Sequence, residues 1–145
     1  MVKQTMKEPR SLSELEDFAM ECIHHQEHPG DIHTFKLFRC NDCKSEVLKL
    51  TIEHHSGSEE WDFKGIIWGE CADCGYLNRL FTFTGDSRKA IREERPVCEC
   101  GSRNFRVGLC ERTEGEQGIP GFFDEGVIAG QCILCHRNRA MAYTD

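Results

Sequence analysis

The chain has 145 residues, ten of them cysteine, and its formal net charge is −7 with 30% of residues charged. Cysteine is counted in its 39% of hydrophobic residues, so the rest is thin for an ordinary apolar core, and one domain or a few very small ones are expected. With no apolar run near the ~20 residues of a membrane helix, no secretory stretch at Met1–Thr5 and no basic balance to suit duplex DNA, the expectation is a cytoplasmic protein without membrane contact.

Residues 1–33 read as a helix and a lead-in. Ser11 and Glu14 form a capping box. Leu12, Leu15, Phe18, Ala19, Cys22 and Ile23 share one helical face across residues 11–25, and Pro29-Gly30 ends it. The expected role is to pack on the first half of the chain and thicken its core, with Cys22 a buried, inert thiol. His24, His25, His28 and His33 crowd the end of this segment. His24 and His28 stand at i, i+4 and are candidates for a weak extra metal site, a solvated helix end being the plainer reading. His54-His55 opens a polar loop and is expected in water.

Eight cysteines fall in four close pairs: Cys40/Cys43, Cys71/Cys74, Cys98/Cys100 and Cys132/Cys135. Two thiolates a short turn apart can face one ion about 2.3 Å away, and two such pairs close a tetrahedron. The pairs alternate short and long, with 27 residues between Cys43 and Cys71 and 31 between Cys100 and Cys132, lengths that suit hairpins. A secreted disulfide scaffold lacks its export signal. A thioredoxin-like site lacks its helix, because Val47–Leu50 and Leu80–Phe83 are strand-like. Zinc is the expected ion, two per chain, and iron of the rubredoxin type is the alternative for a single site. Cys110 alternates away from Phe105, Val107 and Leu109 and reads as a spare thiol.

The chain repeats itself after 57 to 61 residues. Leu48, Leu50 and Ile52 align with Phe105, Val107 and Leu109, and the run from Gly65 to Cys74 aligns without gaps with the run from Gly126 to Cys135. Each copy reads as knuckle, strand, polar loop, strand, knuckle, strand. This unit resembles the zinc-ribbon family, in which two knuckles joined by antiparallel strands hold one zinc. The resemblance implies a small metal-stabilised β-rich protein: two tandem zinc ribbons, at 34–84 and 96–145, plus the N-terminal helix. It also implies that Cys40, Cys43, Cys71 and Cys74 form one site and Cys98, Cys100, Cys132 and Cys135 the other. The second copy departs from the family pattern in the C-x-C spacing of its first knuckle. Copies of ~50 residues need the metal, since their apolar area alone does not offset chain entropy.

Residues 85–95 read as a linker or short helix, capped by Asp86 and stopped by Pro96. Arg79, Arg88, Lys89, Arg92, Arg95, Arg103 and Arg106 make segment 76–106 the one candidate nucleic-acid patch, with Phe81 and Phe83 as stacking rings. The glycine-rich loop from Glu114 ends in Phe122-Phe123, a candidate partner contact, although packing over the ribbon is the plainer reading. No Ser/His/Asp set, carboxylate pair or nucleotide loop points to an enzyme. The function expected is a zinc-binding, non-catalytic adaptor for a protein partner. A nucleic-acid-binding factor of the transcription or translation type is the alternative, and a thiol-redox sensor releasing zinc on oxidation the second.

Overall fold

The computed structural model describes residues 12–23, 32–83, 89–113 and 125–144. Helix α1 spans Leu12–Cys22. Among the described residues eight strands follow: β1 (Ile32–Leu37), β2 (Leu48–His55), β3 (Gly65–Cys71), β4 (Leu77–Phe83), β5 (Ala90–Glu94), β6 (Asn104–Thr113), β7 (Glu125–Cys132) and β8 (Asn138–Thr144). They form an antiparallel sheet of order β4-β3-β2-β6-β7-β8, with β5 added to β2 and β1 added to β6. Alternation sets the faces. Leu48, Leu50 and Ile52 are fully buried, while the alternating Lys49, Thr51 and Glu53 are not.

The repeat seen in the sequence is a repeat of hydrogen bonding. Leu48 lies opposite Cys71 and Ile52 opposite Ile67 in β2–β3; Phe105 lies opposite Cys132 and Leu109 opposite Ile128 in β6–β7. Even the irregularities coincide. A bulge falls between Ile67 and Trp68 in the first half and between Ile128 and Ala129 in the second.

The first strands are exchanged between the halves. β1 leads into the first knuckle yet pairs with β6 of the second half, Lys36 opposite Leu109. β5 leads into the second knuckle yet pairs with β2 of the first, Glu94 opposite Ile52. One core spans both halves, with Leu48, Leu50, Ile52 and Ile67 packed among Phe105, Val107, Ile128 and Ala142. The two halves are therefore not ribbons standing in series.

Two expectations are corrected here. Residues 90–94 form a strand, not helical turns; Arg92, Glu93 and Glu94 are good helix formers, but the C-terminal half of β2 offers an unpaired edge and non-local pairing takes precedence. Asp86, the expected cap, lies outside the described residues. Helix α1 packs on the second half, not the first: Leu15, Ala19 and Ile23 are buried against Cys110, Val127 and Ala129. Burying Leu15 and Ile23 alone contributes about 1.5–3 kcal/mol each. The register explains the choice. Ala129 and Ala140 lie opposite each other and let a helix approach, whereas the matching positions hold Trp68 and Arg79, with the guanidinium 5.3 Å from the ring centre.

One departure from the repeat assigns a role to Arg103. In the second half Val107 O accepts from Phe38 N at 2.8 Å. The matching residues are Leu50 and Pro96, and proline has no N–H to give. Arg103 Nη2 donates to Leu50 O instead, at 2.7 Å. Arg103→Leu should therefore leave a buried carbonyl unpaired and lower stability by about 1–3 kcal/mol, read as an earlier denaturant midpoint of the metal-loaded protein; Arg103→Lys should recover part of the loss.

Candidate metal centres

The strand pairing builds the two sites. Because Leu48 faces Cys71, the turn between β1 and β2, carrying Cys40 and Cys43, meets the turn between β3 and β4, carrying Cys71 and Cys74. Because Phe105 faces Cys132, the turn before β6, with Cys98 and Cys100, meets the β7–β8 turn, with Cys132 and Cys135. In each quartet all four Sγ atoms lie within 4.8 Å of one another.

Four matching turns shape the sites. Their closing residues, Lys44, Gly75, Gly101 and His136, all have φ between 66° and 95°. Each returns its N–H to the carbonyl of the turn's first cysteine, at 2.7–3.0 Å. Lys44 and His136 accept a left-handed backbone that glycine takes without cost. The one-residue-shorter C-x-C turn keeps the same closure: Cys98 N bonds Ser102 O at 2.8 Å, as Cys40 N bonds Ser45 O at 2.9 Å.

Sulfur geometry suits a tetrahedral ion. Across the turns Sγ–Sγ separations are 3.6 Å for Cys40–Cys74, 3.4 Å for Cys43–Cys71, 3.3 Å for Cys98–Cys135 and 3.5 Å for Cys100–Cys132. These exceed the ~2.05 Å of a disulfide and approach the ~3.8 Å edge of a tetrahedron with 2.3 Å metal–sulfur bonds. Asp42 N donates to Cys40 Sγ, and Asp73 N and Cys74 N donate to Cys71 Sγ, each at 3.4 Å.

Thiol acidity is divided unequally. Burial acts to raise Cys40, but the backbone N–H groups of Cys43 and Asp42, with Asn78 and Cys74, bring it down to about 6. Burial likewise opposes, without preventing, a fall of Cys132 to about 6 through the Cys135 and Leu134 backbone and the thiols of Cys100 and Cys98. At Cys74 the Tyr76 backbone acts downward, yet burial and the three neighbouring thiols push it up to about 12. Cys135 is held down by the Arg137 backbone but pushed up to about 12 by Cys98, burial, Cys100 and Cys132. Crowded thiolates repel, so full ionisation of a quartet calls for a cation among them. The donor set and geometry therefore fit one soft divalent ion in each quartet.

Asn78, which belongs to no motif in the sequence, also shapes the first site. It is buried, its Oδ1 accepts from Asn41 N at 2.8 Å and its Nδ2 donates to Gly69 O at 3.1 Å. It thereby ties the first-knuckle turn to β3. The only signal in the sequence is a polar residue at an inward position of a strand.

The other candidates are not brought together. His24 and His28 lie outside the described residues, as do Arg88 and the loop with Phe122 and Phe123, while His33 lies in β1. His54 and His55 end β2 and are not solvated: His54 Nε2 lies 3.0 Å from Glu94 Oε1, and the buried His55 lies 2.7 Å from Glu53 Oε1. The basic segment is dispersed. Arg79 covers Trp68, Arg103 serves Leu50, and Arg106 pairs with Glu46 at 3.2 Å and bonds Gln131. Arg92 and Arg95 stand beside Glu94 at 3.9 Å and Glu93 at 3.0 Å; Lys89 is exposed. Phe81 packs against the core, and Phe83 lies 4.5 Å from Lys64 Nζ.

Cys110 is fully buried beneath α1. Burial, with Glu16, Cys22 and Glu111 nearby, pushes its thiol up to about 11. Burial also raises the half-buried Cys22 against the pull of Tyr143. In the metal-loaded protein at neutral pH, Cys110 should resist maleimide until the chain is denatured, and Cys22 should react slowly. Mass spectrometry after timed labelling checks both.

Compared with known proteins, the chain matches no family model, no curated protein and no solved structure. Among the described residues no helix is long and apolar enough to cross a membrane.

Proposed function

We propose that both quartets hold zinc and that the protein is a non-catalytic, zinc-built interaction module. Each half is a zinc ribbon whose leading strand is lent to the other half. The observation that carries this reading is the closure of each quartet by four thiols within 4.8 Å. Four thiolates complete the coordination of zinc and leave no position for an activated water or a substrate. Such a site holds a fold and presents the turns around it.

Dispersal of the basic side chains favours a protein partner over a nucleic acid. With eight thiolates and two zinc ions the formal charge falls to about −11, and phosphate contacts weaken steeply with salt. Zinc-loaded protein at micromolar concentration is expected to leave labelled duplex DNA unbound at ~150 mM salt, with at most weak single-strand binding. Tagged protein should instead capture a protein from its native host that reconstitutes with it as a purified, nuclease-resistant complex. A submicromolar oligonucleotide complex lost on alanine replacement of Arg92 and Arg95, or failure of every captured protein to reconstitute, would overturn the reading.

A further inference from the structure

A cleft of about 390 Å³ opens beside His54, over Phe63 and Met141 and against Ile91 and Arg92. That volume lies in the range of sites that take a small ligand or a long side chain. It sits where β5 and β8 come together without pairing. Among the described residues β5 pairs only with β2, so its other edge is occupied by no strand; β8 pairs as a strand only with β7, and on its far side Tyr143 O accepts from Phe63 N at 2.7 Å. Ile91 is 60% exposed at the cleft wall.

The charge in the cleft is unevenly satisfied. Glu94 already holds His54 at 3.0 Å and has Arg92 at 3.9 Å and Arg139 at 4.0 Å. The His54 ring is further fixed edge-on to Phe63, 79° between planes and 5.4 Å between centres. Glu59 and Glu60 also line the cleft and are exposed, and among the described residues neither carboxylate has an ion-pair partner. The surface left to be matched is two free carboxylates beside an apolar floor.

We infer that this cleft receives a short, extended, basic segment of a partner protein. A lysine or arginine lays its aliphatic stem along Phe63, Met141 and Ile91 and places its charge at Glu59 and Glu60. The neighbouring backbone runs beside β5, whose open edge offers strand-type hydrogen bonds. This deepens the interaction-module reading and rests on it for the kind of partner.

The test is an NMR titration of the zinc-loaded full chain with a blocked pentapeptide, Ser-Leu-Lys-Leu-Ser, and its Arg and Glu counterparts. The Lys and Arg peptides should give saturable shifts confined to residues 58–63, 90–94 and 141–142, with a Kd of about 1 mM or tighter, weakening as salt rises. Glu59→Gln with Glu60→Gln should weaken binding about fivefold or more, and Ile91→Ser should weaken it independently, both variants keeping two zinc ions. Absence of saturable shifts, equal binding of the Glu peptide, or undiminished binding by the Gln variant would overturn the inference. A reconstituted partner complex indifferent to the Gln variant would overturn it too, while leaving the interaction-module reading intact; failure of any partner to reconstitute sinks that reading instead.

Discussion

Replacing Cys132 and Cys135 together with serine should release metal from both quartets and unfold both halves. The repeat in the sequence, taken alone, implies the opposite: one ion lost and residues 34–84 intact. The difference lies in the shared architecture. The first half takes β5 from the chain leading into the second site, and Leu50 and Ile52 pack in the same core as Val107 and Ile128. Loss of a structural zinc removes roughly 10–16 kcal/mol of apparent binding free energy, as much as or more than the ~5–15 kcal/mol by which a domain is stable. Elemental analysis and the NMR dispersion of residues 48–83 decide it. Retention of one ion with a dispersed first half would show that the halves fold separately.

Purified, reduced protein should carry two zinc ions per chain, and removing them with a strong chelator should abolish the near-native spectrum in one step. Loss should be concerted for the same structural reason, so a species holding one ion should be scarce throughout the titration. Acid should act as the chelator does. Only deprotonated thiols ligate, so protons compete for the ligands and affinity falls as pH falls. Elemental analysis finding iron in place of zinc, or circular dichroism unchanged after complete metal removal, would contradict this.

The cysteine quartets were legible because their spacing is local: each pair lies in one turn, and the two turns are joined by a hairpin of ordinary length. The strands from Leu48 and Phe105 were legible through their alternation. The strand exchange was not, since nothing near Ile32 or Ala90 indicates which half will take it; that is decided by edges of β6 and β2 formed far away in sequence. For the same reason residues 85–95, with Asp86 as a cap and Pro96 as a stop, read as a linker or short helix although 90–94 pair as a strand. The seat of α1 depends on Ala129 and Ala140 facing each other across a register, a relation that composition does not display. Arg103 reads from the sequence as one cation of a basic patch, whereas its partner is the Leu50 carbonyl, which Pro96 has no N–H to satisfy.

The lending of β1 and β5 makes each half depend on the other for a strand. A half-length chain carrying one strand, one quartet and one three-stranded meander is incomplete alone, but two copies about a twofold axis satisfy each other, as in domain-swapped homodimers. The present chain has the form of such a dimer joined end to start, and halves that lie in one chain need not be identical. Pro96 can stand where Phe38 does, and Trp68 where Ala129 does. One face can then seat the chain's own helix while its counterpart stays clothed in Trp68 and Arg79.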